Sequence, residues 1–428
     1  MRFTCGHLGH GARCPGRTLR RVAVTGIGLV TPLGHSTREV FESACAGRSA
    51  IRPFVGEATA RLRSPLAATV QFDAAEHFDV QQQRLLDRVT QFAVVAARRA
   101  IADSGGALSS LDRDRVGVFL GTGMAGIASM DDGYRTLYAD ASDRIKPTLI
   151  LQGMHNAAAA WIGIEHRLTG PNLTYSTACS SSSVAIGEAW LRVASGAVDL
   201  AVAGGSEAPL TLGSMKAWEA MHTLASSDVS TPSASCKPFS KNRSGMVLGE
   251  GAAIALLEPM DAALARNAVI HGELVGYGLT TDSSHIARPS AQGQAAAMRA
   301  ALQSAGIRPD EVDSINAHGT GTSANDAAET AAIWNVFGER AGAIPVSATK
   351  AIHGHLLGAA GAIEFVLALL AMRHRIALPT MHLEQPDSEC DLDYVAKFAR
   401  PGAAGNVMLS NSFAFGGTNA VLVLRSSQ

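Results

Sequence analysis

The chain has 428 residues, more than one compact unit usually holds, which predicts two domains or one large double domain. Hydrophobic residues make up 47% and charged residues 17%, so a large core is possible, and the formal net charge of -1 gives no support to nucleic-acid binding by bulk electrostatics. Apolar runs such as residues 365–372 fall short of the roughly 18 residues needed to cross a membrane, so no membrane span is expected.

The first 20 residues form a basic segment without apolar periodicity. Cys5, His7, His10 and Cys14 are residue types that bind zinc, but their spacing matches no standard zinc finger. We therefore predict a disordered tail over residues 1–20 and no metal site. The six cysteines of the chain are scattered and no secretory apolar segment precedes them, so a reducing cytoplasm is the expected location.

The structured part is predicted to begin at "RRVAVTGIGLVTPLG", because its β-branched residues end in Gly and Pro turn signals. "TREVFESACAG" and "LLDRVTQFAVVAARRAIADSG" have helical spacing, the second ending at Gly105, and "RVGVFLGTG" is the next predicted strand. Strands that alternate with helices indicate an α/β fold.

A glycine-rich stretch, "GTGMAG" (residues 121–126), fits the pattern G-x-G-x-x-G directly after a strand. A dinucleotide site requires a helix next, but the sequence that follows, "IASMDDGYRTLYADASDRIKP", is interpreted as polar and irregular. No nucleotide cofactor is therefore expected. The glycines are interpreted as letting this loop pass close to a buried pocket.

The second half of the chain repeats the order of elements of the first. "NAVIHGELVGYGLTTD" corresponds to the opening strand, "AAAMRAALQSAGI" to the long helix, and "VDSINAHGTGTS" to the glycine-rich stretch. "FAFGGTNAVLVLR" closes the second half as "MVLGEGAAIALLE" closes the first. The repeat predicts two pseudo-twofold related halves, residues 21–262 and 263–428, with the boundary near "EPMDAALARNA".

A cysteine followed by four serines stands in "TYSTACSSSSVAIGEAW". Cys179 is predicted between a strand and a helix, where unpaired N–H groups and the helix dipole favour the thiolate. The serines, residues 180–183, are expected to cap those N–H groups, and Gly187 is expected to let another element pack closely. A buried structural cysteine fits this turn equally well, because free cysteines are commonly buried.

Two further turns contain histidines. His318 follows a strand in "NAHGTGTSANDAAE", and "SATKAIHGHLLGAAGAIE" places Lys350, His353 and His355 around the start of a helix. Corresponding turns of a duplicated fold can face one crevice, so we expect the histidines to meet Cys179 there. Together they supply a nucleophile and two neutral N–H donors for an oxyanion.

These motifs resemble the β-ketoacyl-[acyl-carrier-protein] synthases of the elongating type, I and II, and most resemble II. The resemblance runs from about residue 20 to residue 425 and includes "TACSSS", "NAHGTGT", "TKAIHGHLLGAAGA" and "NSFAFGGTNA" in the family's order. It implies a thiolase-like duplicated α/β fold with five layers, αβαβα, and pseudo-twofold related halves. Periodicity alone does not give that architecture.

The resemblance implies a role for each candidate catalytic residue. Cys179 is similar to the nucleophile that takes an acyl chain from a carrier-protein thioester. His318 and His355 resemble the pair that binds the malonyl thioester carbonyl during decarboxylation, and Lys350 resembles the lysine that supports the site electrostatically. The implied enzyme is an acyltransferase that performs a decarboxylative Claisen condensation in fatty-acid elongation.

Other residues match the family's supporting and binding positions. Asp326 and Glu329 match carboxylates that support this machinery, and Phe415 matches a gating residue whose backbone N–H forms an oxyanion hole with that of Cys179. The remaining substrate-binding matches are Thr320, Thr322, Phe413, Met124 and Trp218. The resemblance also implies acyl carrier protein as partner, a homodimer, and no cofactor beyond the carrier's phosphopantetheine arm.

Several positions depart from the family's usual pattern. His353 stands where many relatives have a small or polar residue, Ala414 replaces a glycine in the gating loop, and Trp218 is bulkier than expected. The segment "VQQQRLLDR" keeps Arg84 and Arg88 but is less basic than a typical carrier-docking helix.

These departures leave alternatives open beside fatty-acid elongation. One is a ketosynthase of a specialised lipid or polyketide pathway, of the nodulation-factor type. Another is a non-catalytic partner subunit that sets chain length, against which the retained Cys179 argues. A cysteine hydrolase is a further rival, but it gives the second histidine and Lys350 no task.

Overall fold

The computed structural model describes residues 19–56, 59–140, 142–228 and 230–427. The ligand-type residues of the tail, Cys5, His7, His10 and Cys14, lie outside the described residues, as does nearly all of the predicted tail.

The strands and helices follow one another in the alternating order expected of an α/β chain. The strands are β1 (Val22–Val30), β2 (Ile51–Pro53), β3 (Leu66–Ala68), β4 (Val116–Gly121), β5 (Asn172–Tyr175), β6 (Leu200–Glu207), β7 (Gly251–Pro259), β8 (Gly272–Thr281), β9 (Ser314–Asn316), β10 (Val346–Ser347), β11 (Ile376–Ala377), β12 (Arg400–Pro401), β13 (Val407–Phe413) and β14 (Thr418–Arg425). The helices are α1 (Thr37–Cys45), α2 (Val80–Leu85), α3 (Arg88–Asp103), α4 (Ile127–Tyr138), α5 (Leu149–Gly153), α6 (Ala157–His166), α7 (Ser181–Ala194), α8 (Leu212–Ala220), α9 (Met260–Ala265), α10 (Ala291–Ala305), α11 (Ser323–Phe337), α12 (Lys350–His353) and α13 (Ala360–His374).

Ten strands form one sheet that consists of two equivalent halves. The first half has the order β1-β7-β6-β4-β5 and the second the order β8-β14-β13-β9-β10. In each half the first two pairings are antiparallel and the last two are parallel. A short antiparallel pairing of β1 with β8, Val22 opposite Leu274, joins the halves edge to edge.

The helices form three layers around the two halves of the sheet. Helices α7 and α13 pack against each other and contact strands of both halves, so they form the central layer. Helices α3 and α6 cover the outer face of the first half, and α10 and α11 cover the second. The predicted α/β fold with five layers and duplicated halves is therefore confirmed.

The corresponding outer helices α3 and α10 begin and end with the same chemical signals. The Asp87 side chain accepts the N–H of Val89 at the start of α3, and the Ser290 hydroxyl accepts that of Gly293 at the start of α10. A glycine with positive φ follows each helix, at Gly105 (φ 64°) and Gly306 (φ 65°).

The central layer contains the one stretch of the described residues that is apolar and long enough to cross a membrane. Residues Leu357–His374 have a mean hydropathy of 1.4 over 18 residues, because Ala and Gly extend the run ahead of residue 365. The expectation that every apolar run would be too short is therefore wrong. The stretch is 89% buried inside the fold, which identifies it as a core helix.

A second expectation fails at residues 127–138. The sequence was interpreted as irregular, but it forms α4 directly after the glycine-rich loop. The absence of a helix therefore no longer argues against a nucleotide site. Whether a nucleotide phosphate can bind here depends instead on the hydrogen bonds of the loop's backbone N–H groups.

Candidate active site

Cys179 lies in a tight turn between β5 and α7, within a single 3₁₀ turn, Ala178–Ser180. The preceding residue, Ala178, has a φ of 51°, a left-handed conformation that is uncommon for a residue with a Cβ. Gly121 backs this turn so closely that a Cβ there would lie 2.3 Å from the Ser182 nitrogen. Close packing against the glycine-rich loop thus holds the strained turn in place.

The serines after Cys179 do not cap α7, contrary to the expectation. Ser180 occupies the cap position without a side-chain capping bond. The Ser182 hydroxyl accepts the N–H of Ala362 on α13, and the Ser183 hydroxyl bonds that of Ser412 on β13, 2.8 Å away. These hydroxyls therefore fasten the Cys179 turn to the second half of the fold.

The thiol of Cys179 is fully buried, and this changes its expected charge. Burial raises its pKa to about 12, although Lys350 and the backbone N–H of Phe415 act in the opposite direction. The expectation that the turn favours the thiolate is therefore wrong for the unliganded protein. The helix N-terminus is too weak a source of field to outweigh the loss of hydration.

Lys350 is buried beneath the site with all three of its N–H donors in use. Nζ lies 3.1 Å from Nδ1 of His318, 2.5 Å from the backbone oxygen of His318 and 2.5 Å from Oε1 of Glu364 on α13. An ammonium group has no acceptor, so Nδ1 of His318 must accept and its proton must lie on Nε2.

His355 has the same proton arrangement by a different route. Its Nδ1 accepts the backbone N–H of Leu357 at 3.1 Å, which leaves the proton on Nε2. Nε2 of His355 has no partner among the described residues. The two rings lie edge to face, 5.5 Å apart, and burial, followed by the charge of Lys350, lowers both pKa values well below the ordinary value. Both rings are therefore neutral N–H donors.

The histidine turn around residue 355 is more irregular than predicted. Helix α12 ends at His353, Gly354 follows with a φ of 73°, and α13 begins only at Ala360. His355 instead bonds through its backbone to Val247 and Gly249 of the first half. Its position thus depends on both halves of the chain.

The loop that contains His318 is held by two buried carboxylates. Glu329 accepts the backbone N–H groups of His318 and Gly319 at 2.8 and 2.9 Å. Asp326 accepts those of Thr320 and Gly321 at 3.1 and 3.2 Å. Neither carboxylate touches an imidazole ring in these contacts, so both act on the loop backbone.

Cys179, His318 and His355 line the end of one pocket of about 120 Å³. Thr320 and Thr322, whose hydroxyls lie 2.8 Å apart, also line this pocket. Its remaining walls include Met246, Phe413, Ala414 and Phe415.

Phe415 lines this pocket and also contacts a cluster of apolar side chains, which we call the apolar wall. Its members include Met124, Met215, Trp218, Met246 and Leu357. The Trp218 ring lies 5.8 Å from that of Phe415. The backbone N–H of Phe415 faces the thiol of Cys179 and acts against the rise in its pKa, so the Phe415 loop adjoins both Cys179 and the apolar wall. Met124 and Trp218 do not line the pocket itself.

The residues that depart from the family's pattern have distinct surroundings. His353 points away from the pocket and bonds the Thr349 hydroxyl through Nε2, at 2.9 Å. Ala414 causes no backbone strain, because the positive φ values of its loop fall on glycines 416 and 417. Arg88 is bound to Glu250 at 2.7 Å, so only Arg84 of the two arginines is exposed.

Two buried acids of the site were missed from the sequence, Glu364 and Glu207. Glu364 is the acidic residue of α13, which is otherwise apolar from Ala360 to Met372, and burial raises its pKa to about 7 in spite of the adjacent Lys350. Glu207 ends the apolar strand β6 and accepts hydrogen bonds from the glycine-rich loop. For both glutamates, the signal in the sequence was a single acidic residue within a mainly apolar element.

Two backbone N–H groups of the glycine-rich loop already donate to a carboxylate of the protein. The N–H groups of Gly123 and Met124 donate to Glu207, at 2.6 and 3.0 Å. The protein's own carboxylate thus occupies the anion position of the G-x-G-x-x-G pattern.

The ligand-type atoms of Cys179, His318 and His355 lie within 4.8 Å of one another, as in a metal site. The protons on the two histidine rings make this group unlike a metal site. Both Nε2 atoms carry hydrogen, so neither offers a lone pair to a cation. The pair is arranged to donate two hydrogen bonds to one oxygen beside the Cys179 sulfur.

Comparison with known proteins gives an assignment for the whole chain. Models of the β-ketoacyl synthase N-terminal and C-terminal domains match residues 19–263 and 271–384. The chain is 40% identical over 411 residues to "3-oxoacyl-[acyl-carrier-protein] synthase 2" of Coxiella burnetii, covering 95% of this chain and 98% of that protein. It is 39% identical over 406 residues to "Nodulation protein E" of Rhizobium meliloti, covering 95% and 99%.

A solved structure of a type II PKS acyl-carrier protein in complex with its ketosynthase is similar over the same length. The TM-score is 0.88 at 31% identity, and the match covers 96% of this chain and all of that chain.

The burial of Cys179 predicts how its reactivity depends on pH. With a pKa of about 12, the thiolate fraction and hence the rate of alkylation by iodoacetamide should rise about tenfold per pH unit from pH 7 to 10. Lys350→Met should slow the reaction further, because it removes the nearby positive charge. Peptide mass spectrometry measures modification at Cys179, with N-acetylcysteine as the free-thiol control. A plateau near pH 7 would contradict this account.

Proposed function

The chain belongs to the β-ketoacyl synthase family, and from that premise we propose that Cys179 is its acyl-carrying nucleophile and that His318 and His355 form its oxyanion site. The chain is an acyltransferase of the condensing type, like its 3-oxoacyl-[acyl-carrier-protein] synthase 2 relatives. The reaction is a decarboxylative Claisen condensation of an acyl group with a malonyl thioester.

In the first step the acyl group moves from a carrier-protein thioester to Cys179. The sulfur attacks the carbonyl carbon, and the backbone N–H groups of Cys179 and Phe415 hold the oxyanion of the tetrahedral intermediate. The carrier's thiolate leaves and takes up the proton that Cys179 gives away. One thioester replaces another, so the step balances without a cofactor.

In the second step a malonyl thioester binds with its carbonyl oxygen between His318 and His355. Loss of CO₂ leaves an electron pair that delocalises onto this oxygen as an enolate. The two Nε2–H donors stabilise the charge as it forms, and their low pKa values keep them neutral, so no proton is lost to the enolate.

In the third step the enolate carbon attacks the acyl-Cys179 carbonyl. A carbon–carbon bond forms, the bond to Cys179 breaks, and the sulfur takes up one proton. The products are the 3-oxoacyl carrier thioester, CO₂ and the free enzyme.

The observation that carries this proposal is the three-way bonding of Lys350. It places a positive charge below the site and holds His318 as an Nε2–H donor. The two proposed halves divide the machinery, since residues 21–262 contain the nucleophile and residues 263–428 contain the lysine and both histidines. A non-catalytic chain-length subunit would need none of these groups.

Fatty-acid elongation is the proposed pathway, and a specialised lipid pathway is the second candidate. The identities to the Coxiella synthase and to the Rhizobium nodulation protein are 40% and 39%, which favours neither. Trp218 supports the second candidate, because its bulk fills the apolar wall behind Phe415 where an acyl chain would extend.

We propose acyl carrier protein as the partner, a homodimer as the assembly and the cytoplasm as the location. The exposed Arg84 suits an acidic carrier surface. Strand β5 ends the sheet, and the neighbouring helices α4 and α5 expose large apolar side chains, among them Tyr138 and Leu151, which supports pairing with a second copy. A reducing location suits the free cysteines 45, 179, 236 and 390.

The condensation is tested by incubating the protein with acyl- and malonyl-carrier protein and measuring CO₂ release and 3-oxoacyl product. We expect both from the wild type. Cys179→Ala should lose the labelled acyl-enzyme entirely yet still release CO₂, because Lys350 and the histidines are untouched. Cys45→Ala, at a cysteine far from the pocket, is the matched control and should retain the label. Full labelling of Cys179→Ala would refute the nucleophile assignment.

The position of Trp218 in the apolar wall predicts a change in chain-length preference for Trp218→Ala. Each methylene that enters the vacated apolar space contributes about 0.8 kcal/mol, so kcat/KM for long over short acyl chains should rise about fourfold per added methylene. Trp334→Ala, at a half-buried tryptophan of α11, is the control and should leave the preference unchanged. The same preference in Trp218→Ala and wild type would exclude Trp218 from the acyl site.

A further inference from the structure

Glu207 is a fully buried carboxylate that collects hydrogen bonds from both halves of the chain. It accepts the N–H groups of Gly123 and Met124, and the N–H of Gly358 at 2.9 Å. The Thr122 hydroxyl donates a fourth bond at 3.3 Å. Burial raises the pKa of Glu207 to about 7, and these four bonds act against that rise.

The two segments that Glu207 joins are tight and strained. Ala125 directly follows the first segment with a φ of 49°, and Leu357 directly precedes Gly358 with a φ of 42°. Residues with a Cβ adopt such values only where the surroundings hold them. The segments also touch, because a Cβ at Gly358 would lie 2.3 Å from the nitrogen of Gly123.

Each segment leads directly to one side of the candidate active site. Met124 belongs to the apolar wall behind Phe415. Leu357 donates its backbone N–H to Nδ1 of His355, the bond that keeps the His355 proton on Nε2. A displacement of either segment would therefore change the apolar wall or the direction of the His355 donor.

We propose that Glu207 is a positioning residue that sets the apolar wall and the His355 donor together through one buried carboxylate. This inference rests on the proposed function for the meaning of the two sites. It also gives the glycine-rich loop a purpose. Its N–H groups bind an internal anion, and that anion ties the loop to the opposite half of the chain.

The hydrogen-bond pattern requires a carboxylate and excludes an amide. Glutamine has the same shape, but its NH₂ group would face one of the backbone N–H donors from Gly123, Met124 or Gly358. Two donors cannot bond each other, so Glu207→Gln loses the hydrogen bond to at least one of the two backbone segments. The side-chain volume stays the same, so the substitution leaves no cavity.

The test measures two properties of Glu207→Gln in parallel with the wild type. The first is malonyl-carrier decarboxylation, for which we expect kcat to fall at least about tenfold with KM within about twofold, because Glu207 touches no substrate. The second is the acyl-chain preference of Cys179 acylation, which should flatten as Met124 loosens. Glu258→Gln is the matched control, since Glu258 is also a buried acid on a strand, bonded to Thr25 and Arg266 away from the pocket. It should leave both properties unchanged.

A second variant keeps the test open if Glu207→Gln does not fold. Gly123→Ala retains the carboxylate but places a methyl group 2.9 Å from its Oε2, so it should impair the same two properties. Folded Glu207→Gln or Gly123→Ala protein with wild-type decarboxylation and wild-type acyl preference would overturn the inference alone. A wild type that neither decarboxylates nor condenses would overturn the proposed function and this inference with it.

Discussion

The buried ammonium group of Lys350 is the constraint on which the rest of the site depends. Removing an ion from water costs on the order of several kcal/mol, so every N–H of the group must find an acceptor. The acceptors come from Glu364 on α13 and from the ring and backbone of His318. The central helix, the lysine turn and the histidine loop must therefore meet at one point.

The duplicated fold explains why this meeting point lies beside Cys179. Helices α7 and α13 are counterparts that pack together in the central layer, so the turns that precede them lie next to each other. The first half places Cys179 in one turn, and the second half places Lys350 and His355 in the other. Hydroxyl bonds from Ser182 and Ser183, and the Glu207 carboxylate, fix one half against the other.

The repeated order of elements and the turn residues were sufficient to predict a duplicated α/β chain and a shared crevice for Cys179, His318 and His355, beneath which Lys350 lies. The five-layered architecture followed only from the family resemblance. The sequence was insufficient to predict the protonation states and the buried acids that depend on burial in the folded chain. The thiolate was expected from a local dipole, but desolvation of the whole turn outweighs that dipole. Glu207 and Glu364 were missed because their partners are backbone groups and a lysine that become neighbours only in the folded chain.

His318 and His355 are both expected to be neutral donors with the proton on Nε2. Neutron diffraction from crystals of perdeuterated protein locates these protons directly. We expect deuterium on Nε2 of His318 and of His355, three deuterons on Nζ of Lys350, and none on Nδ1 of either ring. A deuteron on Nδ1 of either histidine would contradict this expectation, because that ring would then present a lone pair to the pocket.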